Sequence, residues 1–119
     1  DIQYSYARTQ SVLDKTNKVI DTQVLVTSEL KNLYKKLLDW EIVIKSAYRK
    51  KEVHLIAHYL ESLSSYFHTL WSSSKNNPKA KFLDNDNNIP SDLHNLLSSY
   101  QDVLKDGLKI LGIKPKLQM

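Results

Sequence analysis

The sequence predicts an all-α bundle of about five helices, and three observations predict it. Two glycines and three prolines in 119 residues are too few for a turn-rich β fold. Apolar residues recur at spacings of three and four, which places them on single faces of helices rather than on alternating strand positions. Finally, no internal repeat is apparent, and no strand is needed to account for the pattern.

The elements follow in order. Residues 1–17 carry Ile2, Tyr6, Thr9 and Leu13 on one stripe and Tyr4, Ala7, Arg8 and Ser11 on another, with Val12 as a further apolar position. Residues 18–26 mix Val and Ile with Asp21, Thr22 and Gln23 and read as an ambiguous connection. Thr27 is placed to cap a second helix, with Ser28 and Glu29 in its first turn and Leu30, Leu33, Tyr34, Leu37 and Leu38 as its apolar face. Asp39 is the expected cap of a third helix through Ile42, Val43, Ala47 and Tyr48. After Arg49-Lys50-Lys51 comes the clearest helix, with Val53, Ile56, Ala57, Leu60, Leu63, Phe67, Leu70 and Trp71 recurring over about five turns. Its opposite face, His58, Glu61, Ser62 and Ser65, is expected to meet water. Residues 75–90 read as a long polar loop. Ser91 is the expected cap of a last helix bearing Leu93, Leu96, Leu97, Tyr100, Val103, Leu104, Leu108 and Leu111, which Gly112 and Pro115 then stop.

Length predicts one domain over residues 1–119. The absence of cysteine removes disulfides and thiolate metal sites. Apolar runs are short, so no bilayer span is expected, and no signal peptide is visible. The chain opens on Asp1 directly in helical pattern, which leads us to expect a piece of a longer protein. Seventeen basic and 13 acidic side chains give a net charge of +4, which permits a polyanionic partner without requiring one. Only Arg8 and Arg49 supply forked guanidinium donors.

Several patterns resemble sites and fall short of them. Residues 84–88 imitate the start of a calcium loop, but Ile89 and Asn95 stand where glycine and the bidentate glutamate belong. His54, His58 and Glu61 share a helix face, but Leu55 occupies the place of a zinc-helix glutamate and no fourth ligand is nominated. There is no glycine-rich phosphate loop and no nucleophile elbow. The chain therefore reads as a binding module, with no catalytic residue and no cofactor of its own. Tyr4 and Arg8, one turn apart, form either a packed tyrosine beside an ion-paired arginine or an aromatic plate beside a guanidinium, which suits unstacked RNA bases. Trp71 reads as core or as a half-exposed ring at the bundle's end.

Three separated blocks resemble the C-terminal, DALR-type anticodon-binding domain of arginyl-tRNA synthetase. Ile2-Gln3-Tyr4-Ser5-Tyr6-Ala7-Arg8 is similar to the family's Val-Gln-Tyr-Ala-His/Tyr-x-Arg. Ala57-His58-Tyr59-Leu60-Glu61-Ser62-Leu63, followed by Phe67-His68-Thr69-Leu70-Trp71, looks like Tyr-Leu-x-x-Leu…Phe-His-x-Phe-Tyr. The tail Val103-Leu104-Lys105-Asp106-Gly107-Leu108-Lys109-Ile110-Leu111-Gly112-Ile113-Lys114-Pro115, ending in Met119, is similar to the family's terminus. The resemblance implies a domain that docks on the anticodon stem-loop of arginine tRNA isoacceptors. It implies RNA-binding positions at Tyr4, Arg8, Trp71, Lys75 and Met119. It also implies a cytoplasmic, monomeric parent enzyme whose separate catalytic domain, absent from these residues, attaches arginine with ATP and Mg. Asp1 stands where some members carry a further aromatic, and Asp92-Leu93-His94-Asn95-Leu96 lacks the arginine of the family's Arg-Leu-x-Leu. A helical protein-interaction module without RNA binding and the related domain of the glycyl-tRNA synthetase β subunit are the alternatives.

Overall fold

A computed structural model of the chain describes residues 1–116. Five α-helices form the bundle: α1 (Ile2–Lys15), α2 (Ser28–Leu37), α3 (Trp40–Lys50), α4 (His54–Asn76) and α5 (Ser91–Ile110). Two three-residue strands, β1 (Lys18–Ile20) and β2 (Asn88–Pro90), lie outside the helices. They pair in parallel, Val19 opposite Ile89, and thus correct the expectation that the chain needs no strand. Their backbones belong to the two long connections, whose amides would otherwise lack partners, and Ile89 is fully buried at the pairing. A 3₁₀ turn at Pro78–Ala80 starts the second of these connections.

Tyr100 and Phe67, stacked with ring centroids 4.7 Å apart, mark the centre of the core. Around them pack Leu33, Ile56, Leu60, Leu63, Leu97 and Leu104. Apart from Val53, which is exposed and precedes α4, the α4 and α5 faces expected from periodicity point inward, and His58, Glu61 and Ser65 on the other side of α4 are exposed. Helix α5 crosses α4 at Gly107, where a Cβ would come within 2.7 Å of Leu60 Cδ1. A Cβ at that crossing would force the Leu60 side chain to shift.

Helix ends separate the caps set by local sequence from those set by neighbours. Thr27 caps α2 as expected, its hydroxyl accepting from the Leu30 N–H. Asp39 does not cap α3: its backbone is already helical, because α2 runs into α3 through a tight turn at Leu38–Asp39 and offers no extended cap residue. Ser91 is the first residue of α5 rather than its cap, because Pro90 ends β2 in extended backbone and takes the cap position. Gly112, at φ +76°, ends the same helix: its N–H bonds Lys109 O while the Ile113 N–H bonds Leu108 O, the paired closure of a Schellman motif. The stop read from Gly112 and Pro115 therefore stands.

One boundary shift concerns the site. Lys75 and Asn76, expected to open the polar loop, continue α4 to Asn76. Ser74 is buried and turns its hydroxyl back onto Trp71 O, so its polar group needs no water. Lys75 therefore sits on α4, one turn beyond Trp71.

Candidate nucleic-acid interface

The site is built where α1 passes α4. On α1, Tyr4 and Arg8 are four residues apart and share a face. On α4, Trp71 and Lys75 have the same spacing. The packing of the two helices brings these pairs together. Arg8 Cζ lies 4.2 Å from the Tyr4 ring centroid and 4.8 Å from that of Trp71. Arg8 Nη2 also donates a 3.0 Å hydrogen bond to the Tyr4 hydroxyl. Lys75 Nζ is 5.1 Å from the Trp71 ring. Of the sequence-predicted set, Met119 lies outside the described residues.

Each aromatic has a reason to stay in place. Trp71 is half-buried, braced by Phe67 at 6.1 Å and edge-on by Phe82 at 5.8 Å, so one face is committed to the core and the rest meets the site. Tyr4 is 40% exposed and tilts against His68 at 6.1 Å. Tyr4 is a surface plate rather than a core ring, and no carboxylate among the described residues pairs with Arg8.

Two cationic groups thus face two aromatic rings, with no carboxylate among the described residues paired to Arg8. The contacts hold the guanidinium flat and oriented, each worth roughly 0.5–1 kcal/mol where solvent reaches them. Among the described residues Arg8 spends one N–H, on Tyr4, of the five its guanidinium carries. A planar, anionic, hydrogen-bonding ligand such as an unstacked nucleotide meets stacking surface, donors and positive charge together. His68 adds no further cation: burial, and after it the neighbouring positive charge including Arg8, holds its imidazole below the ordinary histidine range.

The family model for the DALR anticodon binding domain matches residues 2–119. The chain belongs to this family. It is 35% identical over 126 residues to the arginine–tRNA ligase of Orientia tsutsugamushi strain Boryong, a match covering 94% of this chain and 21% of that protein. With the arginine–tRNA ligase of Roseobacter denitrificans the identity is 30% over 129 residues, covering 99% of this chain and 22% of the relative. The corresponding protein of Rickettsia typhi is 28% identical over 131 residues, covering 99% and 23%. The DALR chain therefore spans about a fifth of the length of the curated relatives it matches.

Two residues of this DALR domain stand beside the site without having been assigned a role from sequence. One is His68, against Tyr4. The other is Gln3, whose side-chain amide donates to Lys114 O at 3.1 Å and accepts from the Lys116 N–H at 2.8 Å. The signal for Gln3 lay in its place beside Tyr4 in the first family block. Its partners, more than a hundred residues away, have no local signature.

A separate groove between α2 and α5 is lined by Val24, Val26, Leu30, Tyr34, Leu96 and Val103 among others, and is mostly apolar. None of Tyr4, Arg8, Trp71 and Lys75 lines it. The histidine pair on α4, His54 and His58, meets edge to face at 5.6 Å, and His54 Nε2 lies 3.7 Å from Glu52. Among the described residues no three His, Cys, Asp or Glu side chains are grouped to hold a metal ion. In the calcium-like segment, Asp84 Oδ1 accepts from the N–H groups of Asp86 and Asn88. That carboxylate organises the loop as an Asx turn. No helix among the described residues is long and apolar enough to cross a membrane.

Proposed function

We propose that this chain binds the anticodon stem-loop of arginine tRNA, as the C-terminal domain of a larger arginine–tRNA ligase. The observation that carries this reading is the Arg8 guanidinium held between Tyr4 and Trp71, with Lys75 beside it. Unstacked bases of the loop stack on the rings, the arginine fork reads a base edge, and lysines meet phosphate. Met119 joins the site in this reading. Residues 1–119 are one binding domain of a cytoplasmic, monomeric enzyme. Attachment of arginine, with ATP and Mg, belongs to the catalytic domain, which is this domain's intramolecular partner and lies outside these residues. No cofactor is assigned to the 119-residue domain itself.

The test is a titration of an arginine-tRNA anticodon stem-loop against wild type, Trp71→Ala and Arg8→Ala, with the helical signal checked for each protein. Loss of one stacking ring weakens binding by about 1–3 kcal/mol. Folded variants that bind as tightly as wild type would rule the site out. The apolar groove between α2 and α5 suits a second reading, a helical module that binds only protein. RNA binding that is absent even at low salt, where phosphate contacts are strongest, favours that reading.

A further inference from the structure

Gln3 makes both hydrogen bonds that a neighbouring strand would make. Its amide NH₂ donates to Lys114 O, and its amide oxygen accepts from the Lys116 N–H. Between these partners stands Pro115, which has no N–H to satisfy and holds its own φ near that of extended backbone. Proline also keeps the preceding Lys114 out of helical backbone. Residues 114–116 are thus an extended segment whose register is set by one side chain of α1. The Schellman closure at Gly112 turns the chain out of α5 immediately before it. Gln3 directly precedes Tyr4 on α1, about 100° round the helix from it, so the segment it anchors docks on the first turn of the helix that carries Tyr4 and Arg8. That segment carries two exposed lysines, Lys114 and Lys116.

We propose that Gln3 is a positioning residue. It docks the C-terminal segment on α1 and so adds Lys114 and Lys116 to the phosphate-contacting surface around Tyr4, Arg8 and Trp71. The proposal rests on the RNA-binding reading of that site. Without that anchor the tail is fixed to the bundle, among the described residues, only through the Schellman closure at Gly112, and neither lysine is held against α1. Pro115 has no N–H, so the register one residue earlier, Ile113 O with the Pro115 nitrogen, offers the glutamine oxygen no donor. A side chain of equal length without the amide leaves the tail attached to α5 but unregistered.

The experiment compares wild type, Gln3→Met, a Lys114→Gln/Lys116→Gln double variant and their combination, with Trp71→Ala as reference. Each is titrated with the anticodon stem-loop over a range of salt, and hydrogen exchange is followed at the Lys116 amide. Phosphate contacts on single-stranded nucleic acid each contribute about 0.7 to the slope of log affinity against log salt. Gln3→Met is expected to lower that slope by about 1.4, two contacts at about 0.7 each, to match the double lysine variant, and to add nothing when combined with it. Lys116 exchange is expected to accelerate about tenfold, since its N–H loses its acceptor. Trp71→Ala is expected to weaken binding at unchanged slope. An unchanged slope or unchanged Lys116 exchange in Gln3→Met overturns the proposal, as does a loss that adds in full to that of the lysine variant. If Trp71→Ala alone weakens binding, the site stands and only the role of Gln3 fails. If neither Trp71→Ala nor Gln3→Met alters binding, or wild type does not bind, the reading of the site fails as well.

Discussion

The Tyr100 hydroxyl donates a 2.6 Å hydrogen bond to Ser5 Oγ inside the bundle, joining α5 to α1. Ser5 in turn donates to Ile2 O, and both side chains are fully buried. The two ends of this bond are not equivalent. Ser5→Ala leaves a buried hydroxyl donor without an acceptor and is expected to cost about 1–3 kcal/mol. Tyr100→Phe removes the donor and leaves Ser5 its bond to Ile2, for about 0.5–1.5 kcal/mol. Urea denaturation should rank Ser5→Ala as the less stable variant. The double variant should lose less than the sum, because the second change removes a group already unpaired.

Burial also raises the Tyr100 pKa above its ordinary 10.0, against the weaker opposing effect of the Ser5 hydrogen bond. Tyr59 is raised as well, by burial first and then by the Asp39 charge. For an acid raised on folding, the native state keeps its proton while the unfolded state releases it. The stability contribution is therefore whole below pH 10 and declines as pH rises above it. Thermal melts should show little change from these groups up to about pH 10 and a steep loss beyond, approaching ~1 kcal/mol per pH unit from Tyr100. Compared with wild type, Tyr100→Phe should have the shallower alkaline limb. Equal limbs would assign the loss to other groups.

At the α4–α5 crossing, Gly107→Ala should destabilise the bundle even though alanine is the better helix former. Its Cβ would meet Leu60 Cδ1 at 2.7 Å and Cδ2 at 2.8 Å, and Leu60 is fully buried. Overpacking of this kind costs roughly 1–3 kcal/mol, more than the gain of about 1 kcal/mol in helix propensity. A denaturation midpoint at or above wild type would mean that the helices separate without penalty.

The sequence made legible whatever depends on residues a turn or two apart. The inward faces of α4 and α5, the Thr27 cap and the Gly112 stop all rest on spacings of three to five. So do the two halves of the site, Tyr4 with Arg8 and Trp71 with Lys75. Their meeting depends on how α1 packs against α4, and no local pattern encodes that; before the structure, only the family resemblance grouped them. Asp39 and Ser91 misled for a related reason. Both are good capping residues, but the backbone before each is set by α2 and by β2 respectively. The β1–β2 pair was hidden because three-residue strands are too short to display alternation, and their partners lie about seventy residues apart.

The hydrogen bonds from Gln3 to Lys114 and Lys116 span 111 and 113 residues of chain, so the surface around Tyr4 is drawn from both extremes of the sequence. Such a surface exists only once every intervening helix has docked. A partly folded chain would carry the same lysines, but it would not hold a guanidinium between two rings. On the RNA-binding reading proposed above, recognition would be tied to the docking of α1 on α4 and α5, and a misfolded copy would attract RNA by charge yet read none of it.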